Sequence, residues 1–298
     1  RGERRAGQGV TPSDFPLARI GPQQLDALPV PVANLVDLYP LSPMQAGMLF
    51  HSLYAPGGSA YVNQLRVDID GLDVARFKAA WRALLERHEV LRTGFLVGEP
   101  ALQWVARQIE FPMAEHDWRG RSDVGRALDD LAQAQLAQGF DLAQPPLMRL
   151  VLVHTHDDRH HFVWTMHHLL LDGWSTSQLM GEMLRHYAGE ALASQGGRYA
   201  DYIAWLQQRD GAADERYWRE QLGRTEGPTW LANTLPKPRD AQAGYGMHRC
   251  EIGAPRTRAL MEAAKRERVT LNTLVQAAWA LLLARHTGQR TVSFGATV

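Results

Sequence analysis

A single cysteine, Cys250, stands in 298 residues. That excludes a disulfide framework and any cysteine-based metal site, and it fits a reducing, cytosolic setting. Excess charge of either sign is missing too: 32 Lys and Arg balance 32 Asp and Glu, so bulk electrostatics draw the chain neither to nucleic acid nor to an anionic membrane. The nine tryptophans are scattered rather than interleaved with basic residues as a stacking platform. No apolar run is long enough to span a bilayer: the longest helix candidate, TLNTLVQAAWALLLARH (270–286), is interrupted by polar residues. The N-terminal RGERRAGQGV lacks the apolar core of a secretion signal. The chain opens on Arg1 rather than Met, which reads as a piece of a larger polypeptide. G-x-S-x-G, P-loop and G-x-G-x-x-G motifs are also missing, so hydrolase and nucleotide-binding readings have no support.

What is there is ordinary globular composition, 45% apolar and 21% charged, with length enough for one large domain or two smaller ones. Residues 1–36 carry Gly, Pro, Gln and Ala with little periodicity and read as a linker with one short helix near PQQLDAL. LSPMQAGMLFHSLY (41–54) offers Ser42 as N-cap and Pro43 at the first helical position. YVNQLRVDID (61–70) alternates like a strand, and VARFKAAWRALLERHEVL (74–91) sets Phe77, Trp81, Leu84 and Leu85 at helical spacing. RTGFLV and ALQWVARQI read as strands, 122–140 as a helix, and 147–168 as two antiparallel strands around the turn DDR. Helices follow Gly173 and are predicted at 199–209 and 214–222; a Pro/Gly-rich connector covers 223–246. Beyond it come a strand (MHRCEI), two helices (255–269 and 271–286) and a final strand, TVSFGATV. The pattern is mixed α/β, divided near residue 225 into a first lobe, 37–224, and a second, 225–298.

WTMHHLLLDGWS (164–175) places two histidines, an aspartate and a glycine at the end of an apolar strand. Strand alternation sends His167 and His168 to opposite faces, so one imidazole can meet a reaction space while the other packs. A neutral histidine suits proton transfer from an amine or hydroxyl near pH 7. A helix starting at Gly173 would offer free N–H groups to a developing oxyanion. The same pair also fits a hydrogen-bonded core. A metal reading is open as well, with His154 and His156 on one strand and His160 and His161 across the turn, but no acidic third ligand is clearly placed.

HHLLLDG (167–173) resembles the HHxxxDG motif of nonribosomal peptide synthetase condensation domains, which is shared with the chloramphenicol acetyltransferase-like acyltransferases. LSPMQAGMLFHSL (41–53), RHEVLRTGF (87–95) and YADYIAW (199–205) resemble neighbouring motifs of that family in the same order. The resemblance covers about residues 37 to 298. TPSDFPLARI (11–20) is similar to the tail of an epimerization domain that precedes a condensation domain accepting a D-residue donor.

The resemblance implies a two-lobe α/β fold and amide bond formation between two carrier-bound thioesters. It implies no cofactor on the domain, because substrates arrive on phosphopantetheine arms. Partners would be upstream and downstream carrier domains and neighbouring adenylation or epimerization domains. His168 would face the reaction and Gly173 would lend its backbone near the thioester. Asp172 would pair with Arg92 as scaffolding, with His167 and Trp174 in support. The other matched segments read as packing, and His88 and Glu89 as surface residues at a helix end. In the family the second lobe runs well past TVSFGATV, so the expectation is a complete first lobe and only the start of the second. An epimerization domain, a coenzyme A acyltransferase and a non-catalytic recruiting relative are the alternatives.

Overall fold

LMRLVLV (147–153) and HFVWTM (161–166) place large apolar residues in both phases of the two-residue strand repeat, so the sheet they build needs cover on both faces. The computed structural model describes residues 9–54, 61–192, 196–223, 225, 227–236 and 249–296. Its elements run α1 (Pro22–Asp26), β1 (Leu35–Pro40), α2 (Pro43–Tyr54), β2 (Val62–Asp70), α3 (Val74–Arg87), β3 (Thr93–Leu96), β4 (Leu102–Ala106) and β5 (Met113–Asp117). They continue with α4 (Val124–Ala137), β6 (Met148–His156), β7 (Arg159–His167), α5 (Gly173–Tyr187), α6 (Tyr199–Leu206), α7 (Gly211–Leu222), α8 (Ala254–Arg266) and α9 (Leu271–Thr287). The class is α/β, and the chain forms two compact units, residues 1–209 and 210–298.

The first unit holds both sheets. One has the order β2-β7-β6-β5, antiparallel except for the parallel β5–β6 pair; the other is an antiparallel β1-β4-β3 sheet. On one face of the larger sheet, Leu150, Leu152, Phe162, Trp164 and Met166 meet Phe77, Trp81 and Leu84 of α3 and Leu179 and Met183 of α5. On the other, Val151, Val153 and Val163 meet Leu128 of α4. Asp73 caps α3 by accepting a hydrogen bond from the Arg76 N–H at 3.0 Å, and an extended His88 ends it. The stripe this helix presents is aromatic: Trp81 and Trp164 meet edge to face at 5.1 Å between ring centroids. Burial of Phe77 alone, at 2% exposure, stabilises the fold by about 1.5–3 kcal/mol. This double cover fixes the direction in which β7 ends, and β7 carries the histidines.

Three expectations change. Residues 10–35, read as a linker, belong to the first unit's core: Phe15, Ala18, Leu25 and Leu35 are buried against Leu38, Leu96, Leu102 and Trp104. Their apolar residues follow no regular period because they cover the β1-β4-β3 sheet from irregular backbone. The division falls after Arg209, so α7, expected in the first lobe, goes with the second unit. Of the two strands expected in that unit, the described residues 249–252 and 291–296 are irregular, and residues 247, 248, 297 and 298 lie outside the described residues. A strand needs a hydrogen-bonding neighbour, and the described residues of this unit supply only helices and one short 3-10 turn. The predicted helices at 255–269 and 271–286 are present as α8 and α9.

Candidate active site

β7 delivers the two histidines with backbones held from opposite sides. The His167 N–H donates to the Leu147 carbonyl at 3.0 Å, and the His168 N–H donates to the Tyr61 carbonyl at 2.7 Å. The strand ends between them, and the Leu170 N–H turns back to the His167 carbonyl at 3.1 Å. Leu169, Leu170 and Leu171 are buried, so the loop is anchored by its apolar residues while its polar ones are presented. Asp172 then caps α5, its Oδ1 accepting from the Ser175 N–H at 2.7 Å.

His167 is committed at both ring nitrogens. Its Nδ1 accepts from the Leu169 N–H at 3.2 Å, so the neutral ring carries its proton on Nε2, which lies 3.5 Å from Ser52 Oγ. The Ser52 hydroxyl donates to the Met48 carbonyl at 2.8 Å. Burial first, and the neighbouring His168 second, push the His167 pKa down to about 4. A buried imidazole of that kind stays neutral at pH 7 and has no lone pair to spare. It lines a cavity of about 720 Å³ together with Ser52, Val62, Leu136 and Phe140.

His168 is half-buried, with Nδ1 3.3 Å from Asn63 Nδ2 of β2. Its Nε2 has no hydrogen-bond partner among the described residues. Asp172 is held below the usual carboxylate range, first by the hydrogen bond from the Ser175 backbone and further by the nearby His168. Gly173 opens α5, and a Cβ built there would meet nothing within 4 Å. Its φ is not left-handed, so what the glycine supplies is open space beside the backbone. Trp174 is 73% exposed in the first turn of α5.

The Arg92–Asp172 pair expected from the resemblance does not form. The Arg92 guanidinium binds carbonyls instead: Nε donates to Leu85 at 2.8 Å, Nη1 to Ala106 and to Arg107, and Nη2 to Glu86 at 3.2 Å. The last turn of α3 leaves carbonyls without helical partners, and a cation following it satisfies them. Asp172 is meanwhile occupied by its cap. The ionic tie in this region is made by Arg198, which reaches Asp37 Oδ2 at 2.7 Å and Glu89 Oε2 at 2.9 Å. Burial opposes the charge on Arg198, but the hydrogen bonds to Glu89 and Asp37 outweigh it and raise its pKa.

Glu89 is therefore no surface residue, and neither is His88, whose Nε2 lies 2.7 Å from Glu182 Oε2 in α5. Sequence reading missed these partners; a run of charged residues just after a helix, in RHEVLR, was the available signal. In the turn cluster, the His154 and His160 rings stack at 4.3 Å and His161 Nδ1 lies 2.6 Å from Asp68 Oδ1. Among the described residues no three His, Cys, Asp or Glu side chains are grouped to hold a metal, and no helix is long and apolar enough to cross a membrane.

The model of the Condensation domain family matches residues 36–298. The chain is 34% identical to chondramide synthase cmdD of Chondromyces crocatus over 97% of its length, spanning 9% of that protein. It is 32% identical to surfactin synthase subunit 3 of Bacillus subtilis over 88% of its length, spanning 21% of that protein. Among solved structures, the condensation domain from Monacolin K polyketide synthase MokA superposes with a TM-score of 0.69 at 23% identity, covering 86% of this chain and 61% of that one. The starter condensation domain of rhizomide synthetase RzmA gives 0.63 at 21% identity, covering 87% and 63%. The fold is thus shared with solved condensation domains, and by its family match the chain belongs to the condensation-domain family.

Proposed function

We propose that this chain is the histidine-bearing part of a peptide-bond-forming condensation domain, acting on two thioesters carried by phosphopantetheine arms of carrier domains. The acceptor amine attacks the donor thioester carbonyl, a C–N bond forms, the C–S bond breaks, and the amine proton ends on the departing sulfur. The observation that carries the reading is the inequality of the two histidines. His167 has both ring nitrogens engaged, whereas His168 stands at the strand end with its Nε2 uncommitted among the described residues. With Nδ1 facing the Asn63 amide N–H, the neutral His168 ring carries its proton on Nε2. His168 is thus the group placed to give that proton to the departing sulfur and to take up the amine proton in its place.

The first turn of α5 adds N–H groups and the positive end of a 15-residue helix toward charge developing on the carbonyl oxygen. The open space at Gly173 leaves room for the thioester to approach the backbone. Asp172 acts by starting that helix where it does. The partners are the donor and acceptor carrier domains, with adenylation or epimerization domains of the same synthetase as neighbours.

The test uses the synthetase protein that contains this chain, with donor and acceptor carriers loaded. Peptide transfer is followed for wild type and His168→Ala. A loss of about 10²–10⁴-fold is the size expected for a positioned proton-transfer group, and unchanged transfer in the variant rejects the role. Racemised donor without transfer supports epimerization instead.

A further inference from the structure

Two glutamine side chains are sealed in the first unit, Gln45 at 4% and Gln103 at 1% exposure. Gln45 lies in the first turn of α2 and Gln103 is the second residue of β4, a strand buried at every position. Burying a primary amide is unfavourable unless each of its atoms is paired, and here each is. The Ser42 N–H donates to Gln45 Oε1 at 3.0 Å, which fixes the amide's orientation and turns Gln45 Nε2 outward. That nitrogen donates to Gln103 Oε1 and to the Leu169 carbonyl, both at 3.3 Å. Gln103 Nε2 in return donates to Gln45 Oε1 at 2.9 Å and to the Pro40 carbonyl at 3.0 Å.

We infer that Gln45 and Gln103 form an amide clamp that positions His168. The inference rests on the condensation reading of the site. Leu169 immediately follows His168, and its backbone is tied at both ends: its N–H to His167 Nδ1, its carbonyl to Gln45 Nε2. With the His168 N–H already on the Tyr61 carbonyl, both peptide planes flanking His168 are held: one by Tyr61, the next by the bond from Leu169 to His167. The clamp is the only one of these ties that reaches from the β1–α2 corner and the smaller sheet, so it links that sheet to the histidine loop. Neither glutamine is exposed enough to touch substrate; both are positioning residues. A shift of about 1 Å at a reacting group is enough to cost on the order of 10²-fold in rate.

The test is transfer by the carrier-loaded synthetase protein carrying Gln45→Met, Gln103→Met or Gln45→Glu. Leu128→Ala, in the core on the opposite face of the larger sheet, serves as a control for lost stability alone. The expected result is a kcat lowered about 10–100-fold in the Met variants with KM for the loaded carriers unchanged, while Leu128→Ala lowers Tm and leaves kcat intact. In Gln45→Glu the buried carboxyl is driven toward its neutral form, whose O–H restores the donor to Leu169. Its kcat relative to wild type therefore rises as pH falls.

Wild-type kcat in both Met variants overturns the inference, as does an equal kcat loss in Leu128→Ala. Where Gln45→Met does not fold, Gln103→Met and the pH profile of Gln45→Glu decide. A second readout stands apart from activity: in ¹⁵N-histidine-labelled protein the His168 ring resonances move in Gln103→Met while those of His161 do not. Absent wild-type transfer refutes the condensation reading; unmoved His168 resonances refute the clamp.

Discussion

Replacing Arg198 by Met while keeping its stem volume strands two carboxylates, Asp37 and Glu89. The three side chains are 22%, 12% and 18% exposed, nearer to a buried cluster than to a surface pair. Breaking a fully buried pair costs about 3–5 kcal/mol and an exposed one about 0–1 kcal/mol. The intermediate burial places Arg198→Met at about 2–4 kcal/mol. At about 2–4 °C per kcal/mol for a unit of this size, Tm falls by roughly 5–15 °C. The cleanest assay is a double-mutant cycle of Arg198→Met with Asp37→Asn by urea unfolding, where the coupling is about 1–3 kcal/mol. The same cycle on Arg92→Met and Asp172→Ala is additive within about 0.5 kcal/mol, because Arg92 holds carbonyls and Asp172 holds the start of α5. Asp172→Ala alone costs about 1 kcal/mol as a lost cap. A coupling larger for Arg92 with Asp172 than for Arg198 with Asp37 refutes the assignment of the ionic tie.

His167 has its pKa lowered from 6.5 to about 4, so between those values the unfolded chain binds the extra proton. Stability is then full above pH 6.5 and declines as pH falls toward 4; His167→Asn, which keeps an acceptor for the Leu169 N–H, flattens that part of a pH series of urea midpoints, and an unchanged slope contradicts the assignment. Gly173→Ala meets open space at a right-handed helix start, so its Tm stays within about 2 °C of wild type or rises, alanine being the better helix former; transfer nonetheless falls if the thioester uses that space, and a large Tm loss contradicts the geometry.

Much of the fold was legible because its signals are local. The 3.6-residue spacing of Phe77, Trp81 and Leu84 and the apolar strands around DDR appear as α3, β6 and β7. The histidine motif was legible as a place. What sequence could not assign is which distant group meets which: Glu182 lies 94 positions from its partner His88, and Arg198 109 from Glu89. The family resemblance gives Asp172 a charged partner, whereas the folded backbone gives it an N–H. Residues 10–35 were missed for a related reason, since their burial depends on a sheet face built from residues 35–106. The expected strands of the second unit have, among the described residues, no neighbour to pair with.

That packed segment bears on where such a domain can be cut. The family match begins at residue 36, yet Phe15, Ala18, Ile20, Leu25 and Val30 shield Leu38, Leu96 and Trp104. A graft that joins a foreign neighbour at residue 36 removes this shield and leaves a contiguous oily surface on a sheet, a common seed for aggregation. Moving the junction upstream of Val10 lets the transplanted unit bring its own cover.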